Sequence, residues 1–198
     1  MDTFLEGIEA GWQPCTLAVV LPAVAVAIAS GRLAFVSWVG FLVGCAGLFW
    51  ARAAGYWELD RLGLMQWVIA LIVLVAFGAL LRRYWLDLDL TFSAGLALGA
   101  LAGWLWRPCV GERLGDILNN AGDEPVRTFL LTPIYVTGVT VVALALALVP
   151  IVVPALVRVV EHRAWRAVGA AFALAYAGLI AVGRYDDLVG ELLLRSTA

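Results

Sequence analysis

Ala10-Gly11-Trp12-Gln13-Pro14-Cys15 and Ala102-Gly103-Trp104-Leu105-Trp106-Arg107-Pro108-Cys109 read as one element used twice. Each joins a small-residue and tryptophan-marked apolar stretch to a Pro-Cys pair, and the cysteines stand 94 positions apart. Proline lacks an amide donor and clashes with the carbonyl four residues back, so Pro14 and Pro108 are natural breaks in any helix that carries them. The cysteines then lie at elbows, and a pair assembled in space rather than in sequence is the arrangement that a thiol-disulfide relay across a bilayer would need.

Outward from these motifs the chain is almost wholly apolar. Of its 198 residues, 64% are hydrophobic and 14% charged, with a mean hydropathy of +0.96, whereas a soluble domain carries about 25% charged residues. Windows long enough to cross ~30 Å of hydrocarbon as helix fall at Trp12–Ile28, Leu33–Trp50, Leu64–Leu81, Leu90–Trp106, Phe129–Val153 and Trp165–Val182. Runs of this length must satisfy their backbone internally, and alternating β-barrel strands are absent from the pattern. The expected fold is therefore all-α: a polytopic membrane protein of about six transmembrane helices, with the first and fourth broken at proline.

The halves, about 1–88 and 89–198, each open with a Pro-Cys segment and continue with two further apolar segments, within a single membrane domain. An odd number of spans per unit makes the repeat inverted, an arrangement in which sites lie near the midplane on broken helices. Pro22 and Gly111 add further freedom on the C-terminal side of the elbows. Pro125, Pro133, Pro150 and Pro154 read as kinks and helix ends. Gly40–Gly44, Gly44–Cys45–Ala46–Gly47 and Gly95–Gly99–Gly103 read as close helix-packing faces.

Asp2, Glu6 and Glu9 precede the first apolar segment where a cleaved leader would carry positive charge, so that segment is read as retained. The thirteen basic residues are all arginine, and the net charge of -2 gives nucleic acid no footprint. With the N-terminus outside, Arg32, Arg82, Arg83, Arg158, Arg163 and Arg166 fall in inner connections and Arg52, Arg61, Arg107, Arg113, Arg127, Arg184 and Arg195 in outer ones. The count is even-handed, but the inner arginines sit in short connections beside helix ends, where the positive-inside bias acts, and this favours the N-terminus outside. Trp50, Trp57, Trp67, Trp85, Trp106 and Trp165 sit near span ends as interface anchors. No His/Cys/Asp/Glu group has ligand spacing, so neither a metal nor another cofactor is expected. His162 reads as a solvated loop residue, and Cys45, which has no proline neighbour, as a packing thiol.

The two motifs resemble those of the CcdA/DsbD membrane family of thiol-disulfide oxidoreductases. Pro14-Cys15-Thr16-Leu17-Ala18, with Leu21-Pro22 further on, is similar to the family's first-helix motif. Pro108-Cys109-Val110-Gly111, followed by Leu114-Gly115 and Ile117-Leu118, is similar to its second. The resemblance covers the whole chain. It implies a multi-pass protein of the inner (plasma) membrane that passes reducing equivalents from cytoplasmic thioredoxin to an extracytoplasmic thioredoxin-like acceptor, as in cytochrome c maturation. Cys15 and Cys109 would be the redox-active pair, Cys45 standing apart, and the lipid bilayer the remaining partner.

Arg107, Glu112 and Arg113 depart from the family, whose members carry small or apolar residues there, which makes this a divergent member. Charges in hydrocarbon are costly, so this elbow is expected in a wet cavity or at the surface. Arg107 could hold the Cys109 thiolate, while Arg113 has Glu112 and Asp116 as partners. Three other readings stand beside the relay: two buried structural thiols next to kinking prolines; a small-solute or metal-ion transporter on the same scaffold, with Glu112, Arg113 and Asp116 as lining; and a non-catalytic membrane subunit of a larger complex.

Overall fold

The computed structural model describes residues 2–13, 16–53, 88–105, 123–153 and 157–182. Among these, all regular structure is helical: α1 (Asp2–Gly11), α2 (Leu17–Ser30), a short 3-10 turn (Gly31–Leu33), α3 (Ala34–Ala53), α4 (Leu88–Leu105), α5 (Pro125–Val139), α6 (Val141–Val152), the single turn α7 (Val157–Val160) and α8 (Arg163–Ala181). The second, fourth and sixth apolar windows thus appear as α3, α4 and α8. The first is interrupted between Gly11 and Leu17, and the third, Leu64–Leu81, lies outside the described residues.

One helical run among the described residues, Val19–Ala51, is long and apolar enough to cross a membrane, with a mean hydropathy of 2.1 over its best window. It is folded on itself. Gly31 takes φ 56 and ψ -117, a backbone state open essentially to glycine. Ser37 Oγ then reaches the Val26 carbonyl at 3.4 Å, eleven positions away in sequence, where a straight helix would separate the two by ~16 Å. A second membrane-length run exists if α5 and α6 are counted as one span across their 74° bend.

That bend corrects the sequence reading of Phe129–Val153 as one continuous segment. Nor does it fall at a proline: Pro133 and Pro150 lie inside α5 and α6, and the break is at Thr140. The Thr140 hydroxyl donates to the Val136 carbonyl at 2.8 Å and accepts the Trp38 indole N–H at 3.3 Å. A hydroxyl that bonds back to the carbonyl four residues earlier competes with the helical ladder and bends it.

Helix directions follow from named contacts. A Cβ on Gly40 or Gly44 would fall on the Phe92 or Leu96 carbonyl of α4, and one on Gly95, Gly99 or Gly103 on the Ser37, Phe41 or Cys45 carbonyl of α3. The numbers rise together, so α3 and α4 are parallel, and their backbones touch along the glycine faces expected from sequence. Equivalent contacts join α1 to α5: Gly7 faces Tyr135, Gly11 faces Val139, and Gly138 faces Phe4. This pair is parallel too. Between the pairs the sense reverses, because Trp38 bonds Thr140 while Trp50, further along α3, donates to the Pro125 carbonyl at 3.2 Å.

The core mixes small residues, including Ala23, Ala94, Ala143, Ala147, Ala173 and Ala177, with large ones, Trp38, Phe41, Leu98, Leu101, Trp104 and Tyr135, and Thr16, Ser37, Thr91, Thr132 and Thr140 are buried among them. Other large apolar side chains face outward. Val126, Phe129, Leu130 and Ile134 on α5, and Trp165, Val168, Phe172 and Leu179 on α8, form exposed stripes at helical spacing.

Candidate functional site

Six of the seven residues singled out from sequence, Pro14, Cys15, Arg107, Pro108, Cys109 and Gly111, lie outside the described residues. So do Glu112, Arg113 and Asp116. The seventh, Pro22, is buried inside α2.

The flanks of the first motif are well defined. As α1 ends, the Trp12 amide donates to the Glu9 carbonyl at 3.3 Å and the Gln13 amide to Ala10 at 3.0 Å. Thr16, on the other side of the motif, closes the gap: its amide donates to the Gln13 carbonyl at 3.1 Å, and its hydroxyl lies 2.6 Å from the Ala10 carbonyl and 2.7 Å from that of Gln13. These are carbonyls that a helix C-terminus leaves unsatisfied. Thr16 is fully buried whereas Trp12 is 77% exposed, so the chain around the motif runs from an outward-facing indole to an interior hydroxyl within a few residues.

The contacts leading into the two motifs repeat. Gly7 and Gly99, Gly11 and Gly103, and Phe4 and Leu96 are each 92 positions apart, and their partners Tyr135 and Phe41, Val139 and Cys45, and Gly138 and Gly44 are each 94 apart. Every carbonyl that the α1–α5 glycines approach therefore has its equivalent at the α3–α4 crossing, which adds two contacts of its own, Gly40 with Phe92 and Gly95 with Ser37. The helix before Pro14-Cys15 and the helix before Pro108-Cys109 use the same face against equivalent partners. That equivalence was visible in sequence only as the shared Ala-Gly-Trp.

Cys45 is completely buried in α3, where its own carbonyl receives the close approach of Gly103. His162 is exposed and caps α8, its Nδ1 accepting the Ala164 amide at 3.3 Å. Among the described residues no group of three His, Cys, Asp or Glu side chains could hold a metal ion. Thr16, Trp38 and Thr140 are the residues that sequence reading passed over. Isolated hydroxyls in apolar runs carry no periodic signal, and only the position of Thr16 directly after Pro-Cys could have drawn notice.

Comparison with protein-family models, with curated proteins and with solved structures finds no match to this chain.

Proposed function

We propose that this chain is an integral membrane thiol-disulfide oxidoreductase, with six spans in two inverted three-helix halves and Cys15 and Cys109 as its exchanging pair. The observation that carries the reading is the repeated set of glycine contacts, made by helices that lead into the two Pro-Cys motifs, in helix pairs of opposite direction. Two elbows on equivalent supports are what an inverted-repeat carrier places near one depth. The motif resemblance supplies the chemistry, and the stripes of large exposed apolar side chains on α5 and α8, with glycine-mediated helix crossings inside, suit a bundle whose solvent is lipid.

In the proposed reaction the thiolate of one cysteine attacks the disulfide of the extracytoplasmic acceptor. A mixed disulfide forms and the acceptor's other sulfur leaves as thiolate. The second cysteine then attacks the mixed bond, releasing the acceptor as a dithiol and leaving a Cys15–Cys109 disulfide. A cytoplasmic thioredoxin dithiol reverses those steps and is itself oxidised, so two electrons cross per cycle without a prosthetic group. Bond formation requires the two Cα atoms to come within about 4.4–6.8 Å.

Orientation follows from charge. The end at which α2 turns into α3 carries Arg32, Arg158, Arg163 and Arg166 with Glu161, whereas at the opposite end Arg127 pairs with Glu124 beside Asp123. The positive-inside bias assigns the first end to the cytoplasm. Because α1 runs parallel to α5, which starts at the second end, the N-terminus then lies outside.

The deciding experiment is thiol trapping by alkylation after mild oxidation of the purified protein, read as mass shifts in single- and double-cysteine variants. Cys15 and Cys109 should be protected together and released together by reductant. Two thiols that remain alkylatable under every oxidant, in folded protein, would remove the relay. One observation favours a transporter instead: the Thr140 break in the interior, with a hydroxyl and an indole at it, is the kind of interruption around which carriers build solute sites. Vesicle uptake that survives Cys15→Ser and Cys109→Ser would select that reading.

A further inference from the structure

Thr16 departs from the usual use of a threonine at the start of a helix. It stands directly before α2, where a hydroxyl normally accepts an amide of the first turn, yet its side chain makes no such bond. The hydroxyl turns the other way, lying 2.6 Å from the Ala10 carbonyl and 2.7 Å from that of Gln13. Both partners are acceptors, so Thr16 donates here. Ser30, Thr132, Thr137 and Thr140 each return to the carbonyl four residues back. The Thr16 bond reaches six residues back and ties the start of α2 to the end of α1.

Between the tied residues stands Pro14-Cys15. The Thr16 amide donates to the Gln13 carbonyl at 3.1 Å and the Gln13 amide to Ala10 at 3.0 Å, so both residues that flank the motif are anchored to one helix end. The Cys15 carbonyl carbon is bonded to the Thr16 nitrogen, and what fixes Thr16 therefore restrains the backbone of the cysteine. Thr16 is 1% exposed, so water does not compete for its hydroxyl. A hydrogen bond of this kind is worth a factor of about 2–12 in an equilibrium constant. The second motif has Val110 in the corresponding place, and a tie of this chemistry is open to the first motif alone.

We infer that Thr16 is a positioning residue for Cys15, holding the first elbow ready for closure and so stabilising the Cys15–Cys109 disulfide against reduction. The inference rests on the exchange reading above. Closing a disulfide costs the freedom that the two thiols still have, and a tie present in both redox states removes part of that freedom beforehand. In a glutathione buffer the balance is simple: the dithiol gives two electrons and two protons to glutathione disulfide, one sulfur–sulfur bond forms as another breaks, and two glutathione thiols leave. The test equilibrates the full chain in detergent across glutathione ratios, alkylates it, and reads the Cys15–Cys109 disulfide by mass. Thr16→Val, nearly isosteric, should lower the equilibrium constant about tenfold, raising the reduction potential by ~30 mV. Thr16→Ser should restore the wild-type value. Thr132→Val, which removes a buried hydroxyl bond from α5, should cost stability and leave the potential unchanged.

An unchanged potential in folded Thr16→Val, or an equal shift in Thr132→Val, would overturn the inference. Should Thr16→Val not fold, amide hydrogen exchange on the wild-type chain decides in its place. The Thr16 amide should be protected alike in the dithiol and disulfide forms, because the tie precedes closure. Protection gained only on oxidation would mean that the disulfide orders the elbow, and the inference would fall. Failure to form a Cys15–Cys109 disulfide at any glutathione ratio removes the exchange reading and this inference together, whereas a disulfide indifferent to Thr16 overturns the inference alone.

Discussion

The α3–α4 and α1–α5 crossings are built alike and end differently. In both, glycines bring two parallel backbones into contact at equivalent positions. Yet α3 continues straight through Ala46, while its counterpart, Thr140 by the 94-residue offset, ends α5 and turns the chain by 74°. The crossing is thus specified by missing Cβ atoms, while at the break Thr140 adds a hydroxyl that also holds the Trp38 indole, which Thr132 and Thr137, with the same back-bond inside unbroken α5, do not. The repeat is kept where helices touch and is lost where one of them must bend.

The strongest attack on the equivalence is at the motifs the two helices lead into. If the halves contribute one cysteine each, Cys15→Ser and Cys109→Ser should each abolish electron transfer to a thioredoxin-like acceptor, because exchange needs both sulfurs. Cys45→Ser should retain most of it, since that thiol is buried in α3 away from either motif in sequence. Reconstituted transfer assays on the three folded variants decide the matter. Equal loss from all three would end the separation of Cys45 from the pair.

Next in size come the crossings themselves. Gly99→Ala and Gly7→Ala should each destabilise the protein by about 1–3 kcal/mol, because the added methyl meets backbone rather than a yielding side chain. Gly47→Ala, with nothing within 4 Å of the new Cβ, should be neutral or slightly stabilising. Melting temperatures in one detergent check this. A large loss at Gly99 with none at Gly7 would show that the α1–α5 contact is geometric repetition without energetic weight.

The α3–α4 glycine face was legible in sequence because small residues four apart in an apolar run have one dominant use in a helix bundle, although Gly47, read as part of it, meets nothing within 4 Å, and the α1–α5 face of Gly7, Gly11 and Gly138 was not read. The helical class and the positions of α3, α4 and α8 were legible from hydropathy for the same reason: length and composition leave few alternatives. The 74° bend was not legible. Pro133 and Pro150 are the residues that chemistry marks as breakers, yet both are accommodated within helices, and the decisive group is a threonine whose effect depends on an indole 102 residues away. The folding back of Val19–Ala51 was half legible: the sequence separates two apolar windows near Gly31, but the reversal depends on a positive φ that no hydropathy profile records. For the site, Thr16 was missed because its role is to satisfy carbonyls of a helix end that exists only once α1 has stopped.

The bend can be tested through its hydrogen bonds. Thr140→Val would leave the buried Trp38 N–H unpaired and should cost about 1–3 kcal/mol, and Thr140→Ser should restore most of the loss. In a double-mutant cycle Trp38→Phe should couple to Thr140→Val, the double variant being less destabilised than the sum of the singles. Additive losses would mean that the indole and the hydroxyl act separately, and the contrast with Ala46 would then rest on backbone geometry alone.

The smallest expected effect is at the hairpin end, where Arg32 and Glu161 join the α2–α3 turn to the start of α8. Both side chains are substantially exposed, 65% and 41%, so water and salt screen their attraction, and an exposed pair is worth about 0–1 kcal/mol. Arg32→Gln should therefore shift stability less than any glycine change above, with most of the difference gone at high ionic strength. The glycine variants should keep their losses in salt, because overlap with backbone is not screened. A salt-insensitive loss at Arg32 as large as that at Gly99 would place the hairpin end, not the glycine crossings, at the centre of the bundle's stability.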